Sequence, residues 1–336
     1  MSDSDFQLTS VLLNFIIALL VTFVATPLVA KLMKRKGIVG RDIHKVSKIE
    51  VPEMCGLAIL AGLIAASLGY VLLYPSAYLY VTAFIGTVVI GGAIGIFDDL
   101  HPLGPRTKPV LTALACLPIV ILRTYNSSPT IPLLGTVRMS FVYPFLIPLG
   151  VAVCSNAVNM MDVMNGSMAG TIGIISLMST VVLFIAGKNV PASLSAGLFA
   201  TMLAFYYYNR SPAKVFDGDT GSLAVGAAIA ALAVMGGIET VMMVALIPHI
   251  MNAFYGLSSV GRLYERREIS KRPTLLLQNG MLQASGERGA PMTLVRLILA
   301  AGPLTERNVV RGLIFLTVIS SLLAVVTYFV ALGGRV

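Results

Sequence analysis

Three acidic clusters stand at the ends of long apolar runs in this chain. They are Asp98 and Asp99 after the run 81–97, Asp162 within 156–166, and Asp217 and Asp219 within 216–222. Carboxylates are costly beside a bilayer, so acids in such places generally mark a functional site. Carboxylate oxygens are ligands that Mg²⁺ takes, usually together with substrate phosphates. Nearby Lys and Arg side chains would offset the remaining phosphate charge. The clusters therefore indicate a magnesium–phosphate site.

The composition indicates which elements must carry these clusters. The chain has 336 residues, of which 57% are hydrophobic and 12% are charged, and its mean hydropathy is +0.87. These values are typical of a membrane protein with several spans, each of about 20 apolar residues. We predict an all-α polytopic membrane protein that forms a single domain, 1–336. The ten predicted spans are 8–30, 55–74, 80–97, 108–123, 143–160, 168–186, 191–209, 222–238, 240–262 and 309–332.

The charged residues predict the orientation of these spans. The loops after spans one, three, five, seven and nine hold 20 of the 24 Lys and Arg residues. By the positive-inside rule these loops are cytoplasmic, so we expect both termini outside and the site facing the cytoplasm. Twelve of the 15 acidic residues lie on the same face, which the rule does not require. The longest cytoplasmic stretch, about 264–308, has room for a small lobe.

Other classes of site receive no support from the sequence. The net charge of +9 is accounted for by the cytoplasmic loops, and no basic, aromatic-rich module predicts nucleic-acid binding. The cysteines, Cys55, Cys116 and Cys154, lie in or beside apolar runs without ligand spacing. We expect buried thiols there rather than disulfides or metal ligands.

Each polar cluster also has a structural interpretation. The pair 98–99 could cap a helix, Asp219 could cap the span that follows it, and Lys108 could be an interfacial anchor. Asn156 and Asn159 could form hydrogen bonds between helices. Their common placement on one face of the membrane favours a shared site over separate explanations.

Five groups of residues, taken in order, resemble a known family. They are Gly-Arg-Asp-Ile-His-Lys (40–45) with Pro52-Glu53, Phe-Asp-Asp (97–99) with Arg-Thr-Lys (106–108), Asn-Ala-Val-Asn (156–159) with Asn165-Gly166, Gly-Asp-Thr (218–220), and Met-Thr-Leu (292–294) with Gly-Pro-Leu-Thr-Glu-Arg-Asn (302–308). On a ten-span layout they resemble the polyprenyl-phosphate N-acetylhexosamine-1-phosphate transferases. The likeness is nearer to the dolichyl-phosphate branch of eukaryotes and archaea than to the bacterial phospho-N-acetylmuramoyl-pentapeptide transferases.

The resemblance implies a reaction between two substrates in or at the membrane. N-acetylglucosamine-1-phosphate would pass from UDP-N-acetylglucosamine to a polyprenyl (dolichyl) phosphate, with release of UMP. This would be the first committed step of lipid-linked oligosaccharide assembly for protein N-glycosylation. The resemblance implies Mg²⁺ as cofactor and is compatible with a homodimer. The implied residues are Asn159 and Asp219 for Mg²⁺; Asp98, Asp99 and Lys108 for catalysis, with Lys108 on the lipid phosphate; and Arg41, Asp42, Ile43, Glu53, Asn156, Asp162, Asn165, Arg266 and Arg272 for the substrates.

Departures from the family pattern leave alternatives open. The loop after span nine matches the Arg-His-Arg stretch of the dolichyl-type enzymes only ambiguously, and we favour Arg266 and Arg272 among its bases. Asp162 matches the bacterial branch better, so another UDP-HexNAc donor stays an alternative. Two other classes are an intramembrane aspartyl protease and a secondary transporter. The former needs acids that face each other across spans, and the latter places ionisable residues near the midplane. The adjacent pair 98–99 and the nearly charge-free spans favour neither.

Overall fold

The computed structural model describes residues 3–45, 49–132, 134–264 and 268–333. These ranges are mostly helical, with three short antiparallel hairpins. The helices are α1 (Asp3–Arg35), α2 (Gly56–Leu73), α3 (Tyr78–Leu100), α4 (Thr107–Ala113), α5 (Leu117–Ile121), α6 (Tyr143–Met161), α7 (Ser167–Ile185), α8 (Asn189–Asn209), α9 (Gly218–Gly236), α10 (Glu239–Ala245), α11 (Ile247–Val260), α12 (Leu294–Ile298) and α13 (Glu306–Gly333). The hairpins pair β1 (Val39–Arg41) with β2 (Glu50–Pro52), β3 (Thr130–Ile131) with β4 (Gly135–Thr136), and β5 (Thr274–Leu276) with β6 (Leu282–Ala284).

The chain is a mostly helical, polytopic membrane protein, as predicted, and the number of ten spans stays a prediction. Among the described residues, eight helices are long and apolar enough to cross a membrane, and α10 with α11 forms a ninth segment bent by 64°. The fourth predicted span is the shorter stretch Thr107–Ile121, which divides into α4, a 3₁₀ turn and α5. Pro118 and Pro248 lie in the first turn of α5 and of α11. Proline has no N–H to continue a preceding helix, which accounts for both breaks.

Helix α9 lies at the centre of the bundle, where it packs chiefly against α3 and α6. Every residue from 220 to 236 is buried. Glycines allow the neighbouring backbones to approach closely. A Cβ on Gly95 of α3 would lie 2.2 Å from the carbonyl oxygen of Asp219, and one on Gly226 would lie 2.5 Å from Cα of Ser155 on α6. The first turn of α9 is therefore pressed against the end of α3.

The segment that enters α2 is tied to the segment that enters α9. The N–H groups of Cys55 and Gly56 donate to the carbonyls of Phe216 and Asp217, at 2.8 Å and 2.9 Å. A Cβ on Gly56 would lie 2.3 Å from the backbone nitrogen of Gly221. These contacts hold β2 and the following residues beside the start of α9.

The stretch after α11 folds back on the bundle as a small lobe. Leu282 on β6 exchanges backbone hydrogen bonds with Leu304 and is fully buried. It shares a hydrophobic cluster with Val295 on α12, Val309 on α13 and Met161 at the end of α6. The lobe is thereby anchored to the helix ends that carry polar clusters.

We expect Gly95→Ala to destabilise the bundle, because the added carbon would meet the Asp219 carbonyl and force α3 away from α9. Overpacking of this kind typically costs about 1–3 kcal/mol. Gly150→Ala on α6 is the matched control, since no described atom outside its own helix lies within 4 Å of its added carbon and alanine favours helix. Thermal unfolding in one detergent compares the two, and equal midpoints would contradict the packing argument.

Candidate active site

Lys108 occupies the centre of the first polar cluster. Its Nζ lies 2.6 Å from Oδ2 of Asp98 and 2.9 Å from Oδ2 of Asp219. The side chains of Lys108 and Asp98 are each 4% exposed, whereas that of Asp219 is 25% exposed. A buried ammonium group is tolerated when it is paired in this way. Helices α3, α4 and α9 thus meet around one cation, and Asp219 is the member of the trio most accessible to a ligand.

Asp99 contacts a different helix from its neighbour. Its Oδ1 accepts a hydrogen bond from the N–H of Asp219 (2.8 Å), and its Oδ2 accepts from the N–H (2.9 Å) and the hydroxyl (2.6 Å) of Thr220. These N–H groups belong to the first turn of α9, where a helix supplies no acceptor of its own. Asp99 therefore caps α9 from outside, where negative charge is favourable. Of the pair 98–99, Asp99 is therefore the residue that caps a helix, as the structural interpretation of the sequence allowed.

Asn159 lies beside Asp219. Its Nδ2 donates to Oδ1 of Asp219 (2.6 Å) and to Oγ of Ser222 (2.8 Å). Asp219 thus faces Lys108 and Asn159 rather than capping its own helix. Carboxylate oxygens have further lone pairs, and the amide oxygen of Asn159 is another hard ligand. These oxygens suit a divalent cation such as Mg²⁺, so the donor set fits the predicted metal.

Asn156, one turn earlier on α6, is engaged in a contact between helices. Its Nδ2 donates to Oγ1 of Thr112 on α4 and to the carbonyl of Ala152, both at 2.8 Å. This is the structural alternative that the sequence left open for Asn156.

Glu53 and Asp162 flank the residues that precede α9. A Cβ on Gly40 would lie 3.3 Å from Oε2 of Glu53 and 3.1 Å from the ring of Phe216. Asp162 ends α6 and interacts with Asp217. Burial, together with this neighbouring carboxyl group, raises the pKa of Asp217 well above its usual range. Negative charge on Asp217 is therefore less favourable at this position than in water.

A second polar cluster joins three connecting loops to the start of α13, and consists of Asp42, Lys45, Asn165, Ser211 and Glu306. The N–H of Asn165 donates to Oε1 of Glu306 (3.0 Å), and its Nδ2 donates to Oδ2 of Asp42 (2.7 Å). The Ser211 hydroxyl donates to Oε2 of Glu306 at 2.7 Å, and the Lys45 ammonium forms an ion pair with the same carboxylate. The sequence singled out Asp42 and Asn165 but not Glu306. Membership of the motif 302–308 was the only signal for Glu306.

A cavity of about 520 Å³ lies beside the second cluster, a size usual for small-molecule sites. It brings together four of the predicted substrate-binding residues, three from the α1–α2 loop and Arg272 from the lobe. Arg266 falls outside the described residues. The cavity is lined by Arg41, Asp42, Ile43, Lys45, Arg272, Leu276, Leu277 and Gln278.

Comparison with known proteins places this geometry in a family. Residues 78–237 match glycosyl transferase family 4. A protein of Methanocaldococcus jannaschii, provisionally named a glycosyltransferase, is 32% identical over 305 residues, which cover 90% of this chain and 92% of the relative. The chain belongs to glycosyl transferase family 4. The family match begins with α3 and ends just after α9, so it includes the whole first cluster.

Two further relatives carry more specific names. A Saccharolobus solfataricus protein, provisionally named a UDP-N-acetylglucosamine–dolichyl-phosphate N-acetylglucosaminephosphotransferase, is 29% identical over 77% of this chain and 85% of its own length. A Bacillus subtilis protein, provisionally named an undecaprenyl-phosphate N-acetylglucosaminyl 1-phosphate transferase, is 28% identical over 80% and 75%. The resemblance predicted from the motifs is confirmed, and this glycosyl transferase family 4 member is an enzyme.

In this family member we expect Asp99→Ala to lower stability, because the first turn of α9 would lose an acceptor for two N–H groups. Loss of a helix cap typically costs about 1 kcal/mol. Asp99→Asn keeps one acceptor oxygen and should fall between alanine and the native residue. Glu287→Ala, at an exposed carboxylate, is the control. Thermal unfolding midpoints decide the order, and an Asp99→Ala midpoint equal to that of the control would exclude the capping role.

Proposed function

We propose that this protein transfers N-acetylglucosamine-1-phosphate from UDP-N-acetylglucosamine to a polyprenyl phosphate of the dolichyl type and releases UMP. The observation that carries the proposal is the Lys108 ammonium between Asp98 and Asp219, with Asn159 alongside. A paired cation next to accessible oxygen ligands is the arrangement that phosphoryl transfer needs. The names of the archaeal and bacterial relatives support the same chemistry. We place the site on the cytoplasmic face, and the reaction at the first step of lipid-linked oligosaccharide assembly for N-glycosylation.

Mg²⁺ is the proposed cofactor, held by Asp219 and Asn159. When bound, it would supply positive charge to the donor diphosphate and so make the β-phosphorus more electrophilic.

The nucleophile in the proposed reaction is an oxygen of the lipid phosphate. A phosphomonoester has a second pKa near about 6, so this group is largely dianionic at neutral pH and needs little help from a base. Its oxygen attacks the β-phosphorus in line, the new P–O bond forms, and the bond from the β-phosphorus to the bridging oxygen breaks. UMP leaves with the bridging oxygen. Lys108 steers the acceptor phosphate, and Asp98 orients it or takes its remaining proton.

Asp98 and Asp99 already use their oxygens in hydrogen bonds and an ion pair, which favours this direct route over an aspartyl-phosphate intermediate. Asp99 uses both oxygens to cap α9. Asp98 accepts the N–H of Leu103 at 2.6 Å through one oxygen and pairs with Lys108 through the other. Either carboxylate would have to give up these contacts to attack phosphorus, whereas the lipid phosphate is already a nucleophile.

The cavity beside the second cluster is the proposed site for the nucleotide sugar. Arg41 and Arg272 line it and provide guanidinium groups suited to phosphate or sugar oxygens. Leu276 and Leu277 add apolar surface, and a mixture of this kind is usual for such ligands.

The proposal predicts one lipid product. Purified protein is incubated with Mg²⁺, polyprenyl phosphate and, in separate reactions, each member of a panel of UDP-HexNAc donors, with mass spectrometry of the lipid. We expect UMP release and polyprenyl-diphosphate-N-acetylglucosamine from UDP-N-acetylglucosamine. Preferential transfer from another donor would support the alternative sugar, and no product from any donor would refute the transferase proposal. A phosphorylated enzyme trapped without lipid would overturn the direct route.

We expect Asp219→Asn to abolish Mg²⁺-dependent turnover, because a carboxylate ligand becomes a neutral amide. Lys108→Ala should lower the rate at least about a hundredfold, as is typical when an electrostatic contact to developing charge is lost. Lys188→Ala, at the start of α8 and away from the described clusters, is the control. The assay above measures all three, and full activity of Asp219→Asn or Lys108→Ala would refute the role of that residue.

A further inference from the structure

Glu306 is a buried carboxylate that the proposed reaction does not use. Its side chain is 3% exposed, although it stands in the first turn of α13, where Thr305 and Arg307 on either side are exposed. An acid there is favourable for the helix dipole. The helix dipole alone does not explain the contacts that the Glu306 side chain makes. The hydroxyl of Thr305 already accepts the N–H of Asn308 at this end of the helix (3.3 Å). The side chain of Glu306 instead contacts parts of the chain up to 261 residues away.

Four groups from three different loops converge on this one carboxylate. They are the N–H of Asn165, its Nδ2 at a longer 3.4 Å, the hydroxyl of Ser211 and the ammonium of Lys45. Ser211 also accepts a hydrogen bond from Lys45 at 2.9 Å. The two oxygens of a carboxylate have enough lone pairs to accept from all of them. Glu306 therefore connects the start of α13 to three loops, α1–α2, α6–α7 and α8–α9.

The groups held by Glu306 adjoin the cavity proposed for the donor. Lys45 and Asp42 line that cavity, and Nδ2 of Asn165 donates to Asp42. Glu306 itself does not line it. Asn165 is thus held through its backbone by Glu306 and through its side chain chiefly by Asp42, with a longer contact from Nδ2 to Glu306.

We propose that Glu306 is a positioning residue for the nucleotide-sugar donor. It holds Lys45 and Asn165 from behind the cavity, so that the wall formed by 41–45 is ordered before the donor binds. This inference rests on the proposed function for the identity of the donor. Order in the wall before binding lowers the free-energy cost of binding.

A metal ion is a weaker explanation for the same carboxylate. Oxygen and nitrogen atoms of Asp42, His44 and Glu306 lie within 4.8 Å of one another, which is close enough for shared ligation. The Glu306 side chain is only 3% exposed, however, whereas that of Asp219 in the first cluster is 25% exposed. The Lys45 ammonium and the N–H of Asn165 already engage its two oxygens, so little of this carboxylate is accessible to a metal ion.

The kinetic test separates the two substrates. Glu306→Ala, Glu306→Gln and the control Glu268→Gln, at an exposed carboxylate, are assayed with UDP-N-acetylglucosamine and polyprenyl phosphate varied in turn. We expect Glu306→Ala to raise the KM for the donor about tenfold or more, as is usual when buried polar groups lose their partner. The KM for the lipid should stay within about twofold. Glu306→Gln should lie between, since its amide oxygen still accepts one hydrogen bond. Equal increases in both KM values, or a fall in kcat alone, would overturn the proposal.

Backbone hydrogen exchange, measured without substrates, is a second and independent test of the positioning role. We expect backbone amides of 40–45 and 163–166 to exchange faster in Glu306→Ala than in the native protein, and unchanged exchange in Glu268→Gln. Exchange in Glu306→Ala equal to that of the native protein would overturn the positioning role. A native protein that makes no product from any UDP-HexNAc would refute the proposed function, whereas the exchange result would still decide whether Glu306 holds the loops.

Discussion

A lysine ammonium buried among apolar helices needs carboxylates at hydrogen-bond distance, and this requirement determines how three helices of the bundle meet. Lys108 on α4 lies between Asp98 on α3 and Asp219 on α9. Removing one partner from a buried ion pair typically costs about 3–5 kcal/mol, because an uncompensated charge is left behind. The ends of α3, α4 and α9 therefore cannot separate without a large penalty.

The two adjacent acids contribute differently because neighbouring side chains on a helix point about 100° apart. Asp98 contacts the lysine of α4, whereas Asp99 accepts the first N–H groups of α9. One acid thus fixes the cation and the other fixes the helix that carries Asp219. Gly95 and Gly218 keep this arrangement sterically possible, since a Cβ on either would clash with the opposite segment. A two-residue acidic motif therefore positions both partners of Lys108.

Local patterns in the sequence were sufficient to predict the membrane class, most of the helical segments and the polar clusters. Hydropathy does not register where a helix breaks, so 108–123 was predicted as one continuous span, whereas the structure divides Thr107–Ile121 before Pro118. The acid pair could be located but not divided into its two contacts, because facing directions depend on how α3 packs. The contacts of Glu306 could not be predicted from the sequence for a related reason. Its partner Asn165 is 141 residues away, and no local pattern links the two.

The distribution of charge connects the architecture with the proposed chemistry. In the first cluster one ammonium faces two carboxylates, so the group carries a net negative charge once Asp99 is matched by the N-terminus of α9. Such a cluster would repel a diphosphate alone and would accept it together with a divalent cation. The cavity beside the second cluster, by contrast, is lined by three cationic side chains, Arg41, Lys45 and Arg272, and by one carboxylate, Asp42. Under the proposed function, cationic side chains of the cavity would bind the nucleotide sugar, and its diphosphate would meet the carboxylates only together with a metal ion.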